Sequence, residues 1–185
     1  MIERIFAKDV FGFEVPDDDE GLSYPLHRVK GGGKLRCTIL SDEMLACPTH
    51  YVSNKTLQCM GDDCPRCKHN VEKRWHGWVA GHQWDTGKTK IVELTHRAAI
   101  SVQRWRKEFG ILRGATLELV RPAKKHNGRL FASLTPRSLP LESLPACPNV
   151  RACLYRLWGL EENDRDPFGL NDALYSPHSN GVAQQ

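Results

Sequence analysis

Residues 74–94 read RWHGWVAGHQWDTGKTKIVEL, and this segment gives the clearest indication of the fold. The β-prone residues predict a strand over 74–84, and Asp85-Thr86-Gly87-Lys88 is typical of a hairpin turn. The chain then returns as a second strand over 89–94. Successive strand side chains point to opposite faces. One face therefore carries His76, Trp78, Ala80, His82 and Trp84, and the other carries Trp75, Gly77, Val79 and Gly81. Aromatic residues lie on both faces, and a thin barrel cannot bury both completely.

Further elements flank this hairpin. A strand is predicted over 34–40, continuing over 46–52 after a bulge or turn, and two more strands over 116–121 and 129–135. A helix over 96–109 follows Thr95, which suits an N-cap, and Gly110 is placed to end it. Its apolar residues recur at helical spacing: Ala98, Val102, Trp105 and Phe109.

This order predicts a mainly β protein with one or two helices. A five-stranded OB-fold-like barrel has its helix between the third and fourth strands, as here. A zinc ribbon or another small β-sheet with one helix fits the same order. The predicted organisation is an N-terminal arm over 1–33, with a short strand at Ile2 to Phe6, and an OB-like domain over 34–137. A linker with a short helix over 150–158 occupies 138–160, and an acidic, polar tail occupies 161–185.

A cysteine-rich segment at about 46–73 predicts one structural zinc ion inserted in the barrel. Its candidate ligands have the spacing His-x8-Cys-x4-Cys-x2-Cys and are His50, Cys59, Cys64 and Cys67. Cys-x2-Cys lets two thiolates reach one tetrahedral ion, and four protein ligands leave no position for a catalytic water. Cys47 is an alternative to His50 as a ligand, because Cys47-Pro48-Thr49-His50 is itself a Cys-x2-His pair. The remaining cysteines are interpreted as core thiols: Cys37, Cys147 and Cys153.

The net charge of +4 is unevenly distributed along the chain. Residues 66–137 contain 16 Lys and Arg against 5 Asp and Glu, a balance of +11, whereas residues 1–65 carry −4 and residues 138–185 carry −3. A basic centre between acidic ends is typical of a domain that binds a polyanion.

Aromatic side chains beside positive charge indicate single-stranded nucleic acid as that polyanion, because unstacked bases stack on aromatic rings while cations follow the phosphates. The candidate stacking residues are Trp75, Trp78, Trp84 and Phe131. Each tryptophan is as readily explained as a core residue. The candidate phosphate contacts are Lys88, Lys90, Arg121, Lys124, Lys125 and Arg129, and each of these could equally be an ordinary solvated charge.

On these residues the chain resembles the single-stranded-DNA-binding proteins of T4-type bacteriophages. The resemblance rests on the His-plus-three-Cys insertion, the strand order and the basic centre, and covers roughly 34–137. It departs in ligand spacing, in length and in lacking a basic N-terminal arm. It implies an OB-fold with zinc at the four ligands above. It also implies that the acidic segment 161–168, which ends in Phe168, recruits replication proteins.

The leading hypothesis is therefore a largely sequence-independent single-stranded-DNA-binding protein of replication, recombination or repair, with RNA as an alternative ligand. The competing hypotheses are a zinc-containing adaptor of a replication or transcription complex and a nucleic-acid enzyme with an accessory zinc. No paired-carboxylate motif, P-loop or nucleophile elbow supports an enzyme. The sequence shows neither a signal peptide nor a run of roughly 18 apolar residues, which favours a cytoplasmic, nucleoid- or phage-associated protein with no membrane partner.

Overall fold

The structure is a computed structural model. It describes residues 24–53, 55–122, 129–136, 139–160 and 167–168. The predicted strand at Ile2 to Phe6, the turn at 126–128 and most of the tail lie outside these ranges.

The described chain is mainly β with three helices. The strands are β1 (Leu26–His27), β2 (Lys34–Ile39), β3 (Leu45–Val52), β4 (Lys55–Gln58), β5 (Lys73–Gln83), β6 (Lys88–Thr95), β7 (Thr116–Val120) and β8 (Phe131–Thr135). The helices are α1 (Pro65–Lys68), α2 (His96–Phe109) and α3 (Val150–Trp158). Short 3₁₀ turns occupy Gly61–Asp63 and Leu141–Ser143. None of these helices is long and apolar enough to cross a membrane.

The eight strands form one mixed sheet organised around β5. One edge of β5 pairs with β6 in the predicted hairpin. The other edge is shared, because its first half pairs with β3 and its second half with β2. Beyond β2 the sheet continues through β7 to β8, and β1 joins β6 as the parallel neighbour. Among the described strands no pairing joins β8 back to β6 or β1, so the sheet is open and the expected barrel closure is not seen.

Eight strands appear where five were expected, for two reasons. The first predicted strand is divided into β2 and β3 by the segment 40–44. Two short strands were not predicted. β1 lies in the segment interpreted as an arm, and β4 lies within the cysteine-rich segment, where it pairs with β3.

Alternation along the strands gives the sheet two apolar faces, each covered by a helix. Val79, Val92 and Leu94 belong to a first core, which contains Ala98 and Val102 of α2. A second core on the opposite face contains Trp78, Ala80 and Ile91, and it is covered by α3 through Val150 and Leu154. The burial of both faces explains why β5 carries large residues on each side.

Helix α2 has the predicted ends and most of the predicted apolar face. Gly110 terminates it with φ 75°, a left-handed conformation that glycine adopts without strain. Ala98 and Val102 are buried, but Phe109 is exposed and stacks on Trp105 with ring centroids 4.0 Å apart. The C-terminal end of the apolar stripe therefore lies outside the core.

Candidate metal centre and basic groove

The four predicted metal ligands converge. The ligand atoms of His50, Cys59, Cys64 and Cys67 all lie within 4.8 Å of one another. The His50 Nε2 is 3.5 Å from the Cys64 Sγ and 3.4 Å from the Cys67 Sγ, and the Sγ atoms of Cys59 and Cys67 are 3.5 Å apart. Tetrahedral bonds of about 2.0–2.3 Å to one zinc ion place ligand atoms roughly 3.5–3.8 Å apart. This donor set and its spacing fit a structural zinc site.

Local structure explains how the ligands meet. His50 lies near the end of β3, and Cys59 directly follows β4, where its backbone N–H bonds to the Pro48 carbonyl at 2.8 Å. Gly61 adopts φ 77° and turns the chain back toward α1. Cys64 is the N-cap of α1 and Cys67 lies within it. A β-hairpin and one helical turn therefore bring all four ligands together.

The second ring nitrogen of His50 fixes the orientation of the ring. Its Nδ1 lies 3.1 Å from the carbonyl oxygen of Val71 and 3.2 Å from that of Glu72. Carbonyl oxygens only accept, so Nδ1 carries the proton and donates. The lone pair is then on Nε2, the atom that faces the thiols, which is the usual support for a metal-bound histidine.

Cys47 is not part of this cluster. It precedes His50 by three residues on the same strand, so the two side chains point to opposite faces of β3. Cys47 is fully buried in the second core. Among the described residues the cluster therefore contains His50 and not Cys47. Of the other thiols, Cys37 is buried in the first core, which raises its pKa to about 12, and Cys147 and Cys153 pack at the edge of the second.

The thiols of the cluster differ in acidity even without a cation. Burial raises the pKa of Cys59. Burial also opposes ionisation of Cys64, but backbone hydrogen bonds involving Met60, Cys67 and Arg66 outweigh it and lower the pKa of that thiol. Cys64 therefore forms a thiolate more readily than Cys59, and the thiolate is the form in which cysteine binds a metal.

One nucleic-acid candidate, Trp78, is misassigned. It was expected to be exposed, but its exposed fraction is 1%. Its ring lies between Ala80 and the aromatic rings of α3 and the C-terminal segment, since the Trp158 and Phe168 rings meet it edge-on at 5.2 and 6.3 Å. Bases have no access to this side chain, and it acts as a core residue.

Three other candidates meet in one groove of about 450 Å³ at the start of β5. Trp75, Arg121 and Arg129 line it. Arg121 is buried rather than exposed. Burial is the main cause that lowers its pKa, and the positive charge of the nearby Arg28 lowers it further. The sequence did not single out the other cations of this groove, namely Lys73, Arg74 and Arg97, or His96, which also lines it. None of the described residues that line the groove is acidic, although Arg74 pairs with Glu72 just outside it.

The groove adjoins the N-terminus of α2, a feature that sequence analysis could have found. The first turn of α2 contains no acidic residue, and it begins with His96 and Arg97. Cations there oppose the helix macrodipole, whereas an anion bound there is stabilised by it. An arginine in a predicted first helical turn that contains no acidic residue was therefore a sign of an anionic ligand.

The remaining candidates lie away from the groove. Trp84 is about half exposed at the β5–β6 turn, roughly 30 Å along the strand from Trp75. Its Nε1 donates to the Thr38 Oγ1 at 2.9 Å. Lys88 is exposed and Lys90 donates to the side-chain oxygen of Gln83. Phe131 is 55% exposed on β8. Lys124 and Lys125 lie outside the described residues.

A buried ionic network next to the groove was also missed. Glu93 is 3% exposed and accepts two hydrogen bonds of 2.9 Å from the Arg28 guanidinium. The His76 Nε2 is 3.7 Å from Glu93, and its Nδ1 is 2.7 Å from the Thr49 hydroxyl. The sequence did contain a sign of this network, because Glu93 lies between Val92 and Leu94 in a predicted strand. A carboxylate buried there needs a cationic partner.

Comparison with known proteins gave no relative. No protein-family model matches the chain, and no curated protein or solved structure does.

Proposed function

We infer that the protein binds single-stranded DNA largely without sequence preference and that a structural zinc ion, held by His50, Cys59, Cys64 and Cys67, orders the segment before β5. The observation that carries this proposal is the groove in which Trp75 lies among cations with no acidic lining residue. Cations follow the backbone phosphates, and an aromatic ring stacks on any base, so such a groove suits a single strand of any sequence.

The strand order also supports the proposal. Across the sheet the strands follow in the order β6, β5, β2 with β3, β7 and β8. Helix α2 connects β6 to β7. An OB-fold has the same sequence of strands with its helix in the same place, and OB-folds commonly bind oligonucleotides. In this proposal the open sheet is an OB-like arrangement without barrel closure among the described strands, and the zinc hairpin is inserted in it.

A binding assay tests the proposal directly. Oligo(dT), a matched duplex and a matched RNA are titrated into the zinc-loaded protein at low salt, with mobility shift and tryptophan quenching as readouts. We expect the single strand to bind more tightly than the duplex, because duplex bases are not available for stacking. No shift and no quenching with oligo(dT) at low salt would reject this function and favour the adaptor hypothesis.

Salt dependence tests whether the groove is the binding surface. Arg97→Gln with Arg129→Gln should flatten the dependence of affinity on salt by about 0.7 in log–log slope for each phosphate that is no longer neutralised. Arg104→Gln with Lys107→Gln removes the same charge from an exposed part of α2 outside the groove. This control should change the slope less. Equal slopes for both variants would show that only the net charge matters.

A further inference from the structure

The basic groove continues into an apolar cleft, and the two share Trp75, His76 and His96. Resting on the proposed function, we propose that this joined cavity is a nucleotide site. One nucleotide of the bound single strand places its base in the apolar cleft and its phosphate in the basic groove. Trp75, on β5, stands where the two parts meet.

The apolar cleft has the size and lining of a base pocket. It has a volume of about 320 Å³, at the lower end of the range for small-molecule sites. Its apolar walls come from Met44 and Ala46 on one side and from Ala99 and Ile100 of α2 on the other, and two charged residues, Glu43 and Arg106, also line it. The Gln103 amide also lines it, and an amide both donates and accepts hydrogen bonds, so it can pair with the edge of any base.

The basic groove has the positive charge that binds a phosphate. Lys73 and Arg97 face it from β5 and from the first turn of α2, and Arg129 faces it from the segment before β8. The Thr95 hydroxyl also lines the groove, and it makes no capping hydrogen bond within the described residues. The uncompensated positive end of the α2 macrodipole therefore adds to three side-chain cations from three different elements.

The arrangement selects for a single strand by its shape. A base reaches a cleft between a sheet and a helix only if it leaves the stack, and this costs less in a single strand than in a duplex, where the base must also unpair. Trp75 lines both parts, so the proposal places its ring beside that base and beside the cations that would hold its phosphate. Base and phosphate are adjacent in one nucleotide, just as the two parts of the cavity are adjacent here.

Mononucleotide binding to the wild-type protein tests the site without any variant. Titration of the zinc-loaded protein with dTMP, thymidine and inorganic phosphate is followed by NMR at the Trp75 indole and the Ile100 methyl groups. We expect dTMP to shift both signals and to bind more tightly than either of its halves. Failure of dTMP to shift them, in a protein that binds oligo(dT), overturns the site and leaves the proposed function standing.

A matched pair of variants provides a second test. Ile100 lines the cleft and is 40% exposed, whereas Ile111 is 42% exposed outside it. Ile100→Glu should weaken oligo(dT) binding about tenfold, the value of one base stack, whereas Ile111→Glu should change it less than about twofold. Equal effects of the two variants overturn the site. If the wild-type protein does not bind oligo(dT), the failure belongs to the proposed function itself.

Discussion

The indole ring of Trp158 meets that of Trp78 edge-on, with ring centroids 5.2 Å apart and planes at 79°. This contact joins α3 to the central strand of the sheet, and the Trp158 Nε1 also donates to the Thr56 carbonyl oxygen of β4 at 3.0 Å. Phe168 adds a third ring to the cluster. Helix α3 therefore closes one face of β5, and the groove at the start of the strand is left as the candidate surface for nucleic acid.

The burial of Trp78 predicts a stability effect rather than a binding effect. Trp78→Ala should reduce the free energy of unfolding by about 3–5 kcal/mol, because it removes a large ring from a closed core. Trp84→Ala, at a half-exposed position, should cost less. Urea denaturation followed by circular dichroism measures both. An unchanged midpoint for Trp78→Ala would contradict the packing described here.

The metal cluster predicts one zinc ion per chain. Cys64→Ser should lose the ion, because a closed tetrahedral set cannot spare a thiolate, and the segment around α1 should lose protection in hydrogen exchange. Cys47→Ser should keep the ion, since that thiol lies in the second core. Elemental analysis by mass spectrometry gives the zinc content. Retention by His50→Ala together with loss by Cys47→Ser would show that the ligand assignment is wrong.

Substitution by alanine is expected to cost different amounts of stability at two glycines of β5, Gly81 and Gly77. A Cβ on Gly81 would lie 2.6 Å from the Cys37 Sγ and 3.0 Å from Val92, both in the first core. Gly81→Ala should therefore cost about 1–3 kcal/mol of stability. A Cβ on Gly77 would first meet the Met44 Sδ at 2.7 Å, the end of a flexible, half-buried side chain that can move. Gly77→Ala should be the milder variant in urea denaturation, and the reverse order would refute the argument.

His76 predicts that the fold weakens in acid. Burial lowers its pKa, and although Glu93 opposes this, Arg28, Arg74 and Arg121 reinforce it. The unfolded chain then binds the proton more readily than the folded chain. The contribution of neutral His76 to the free energy of unfolding is therefore fully present above the unfolded pKa of about 6.5. It is lost as the pH falls through the lower folded value.

His76→Gln isolates this effect, because it has no proton to gain. We expect its free energy of unfolding, measured in urea from pH 8 to pH 5, to fall less steeply than that of the wild type. Protonation of the zinc ligands and of His27 affects both proteins alike, so it cancels in the comparison. Parallel curves would assign the acid sensitivity to groups other than His76.

Local patterns in the sequence predicted most of the elements. The alternation in 74–94 predicted β5 and β6, the helical stripe predicted α2, and the cysteine spacing predicted the ligand cluster, because each depends on neighbours along the chain. The sequence could not predict which face of β5 is buried by α3. That depends on Trp158, which is eighty residues further along the chain than Trp78. The groove was missed for the same reason, since its lining comes from β5, α2 and the ends of β7 and β8.

His50 has a consequence beyond metal binding. In the pairing of β3 with β5 it lies opposite Lys73, and its Nδ1 holds the carbonyls of the two residues just before that strand. The next three residues, Lys73, Arg74 and Trp75, line the basic groove. An ion bound at the Nε2 of His50 would anchor the entry to β5 through this one ring, and its removal is expected to disturb the groove residues that follow.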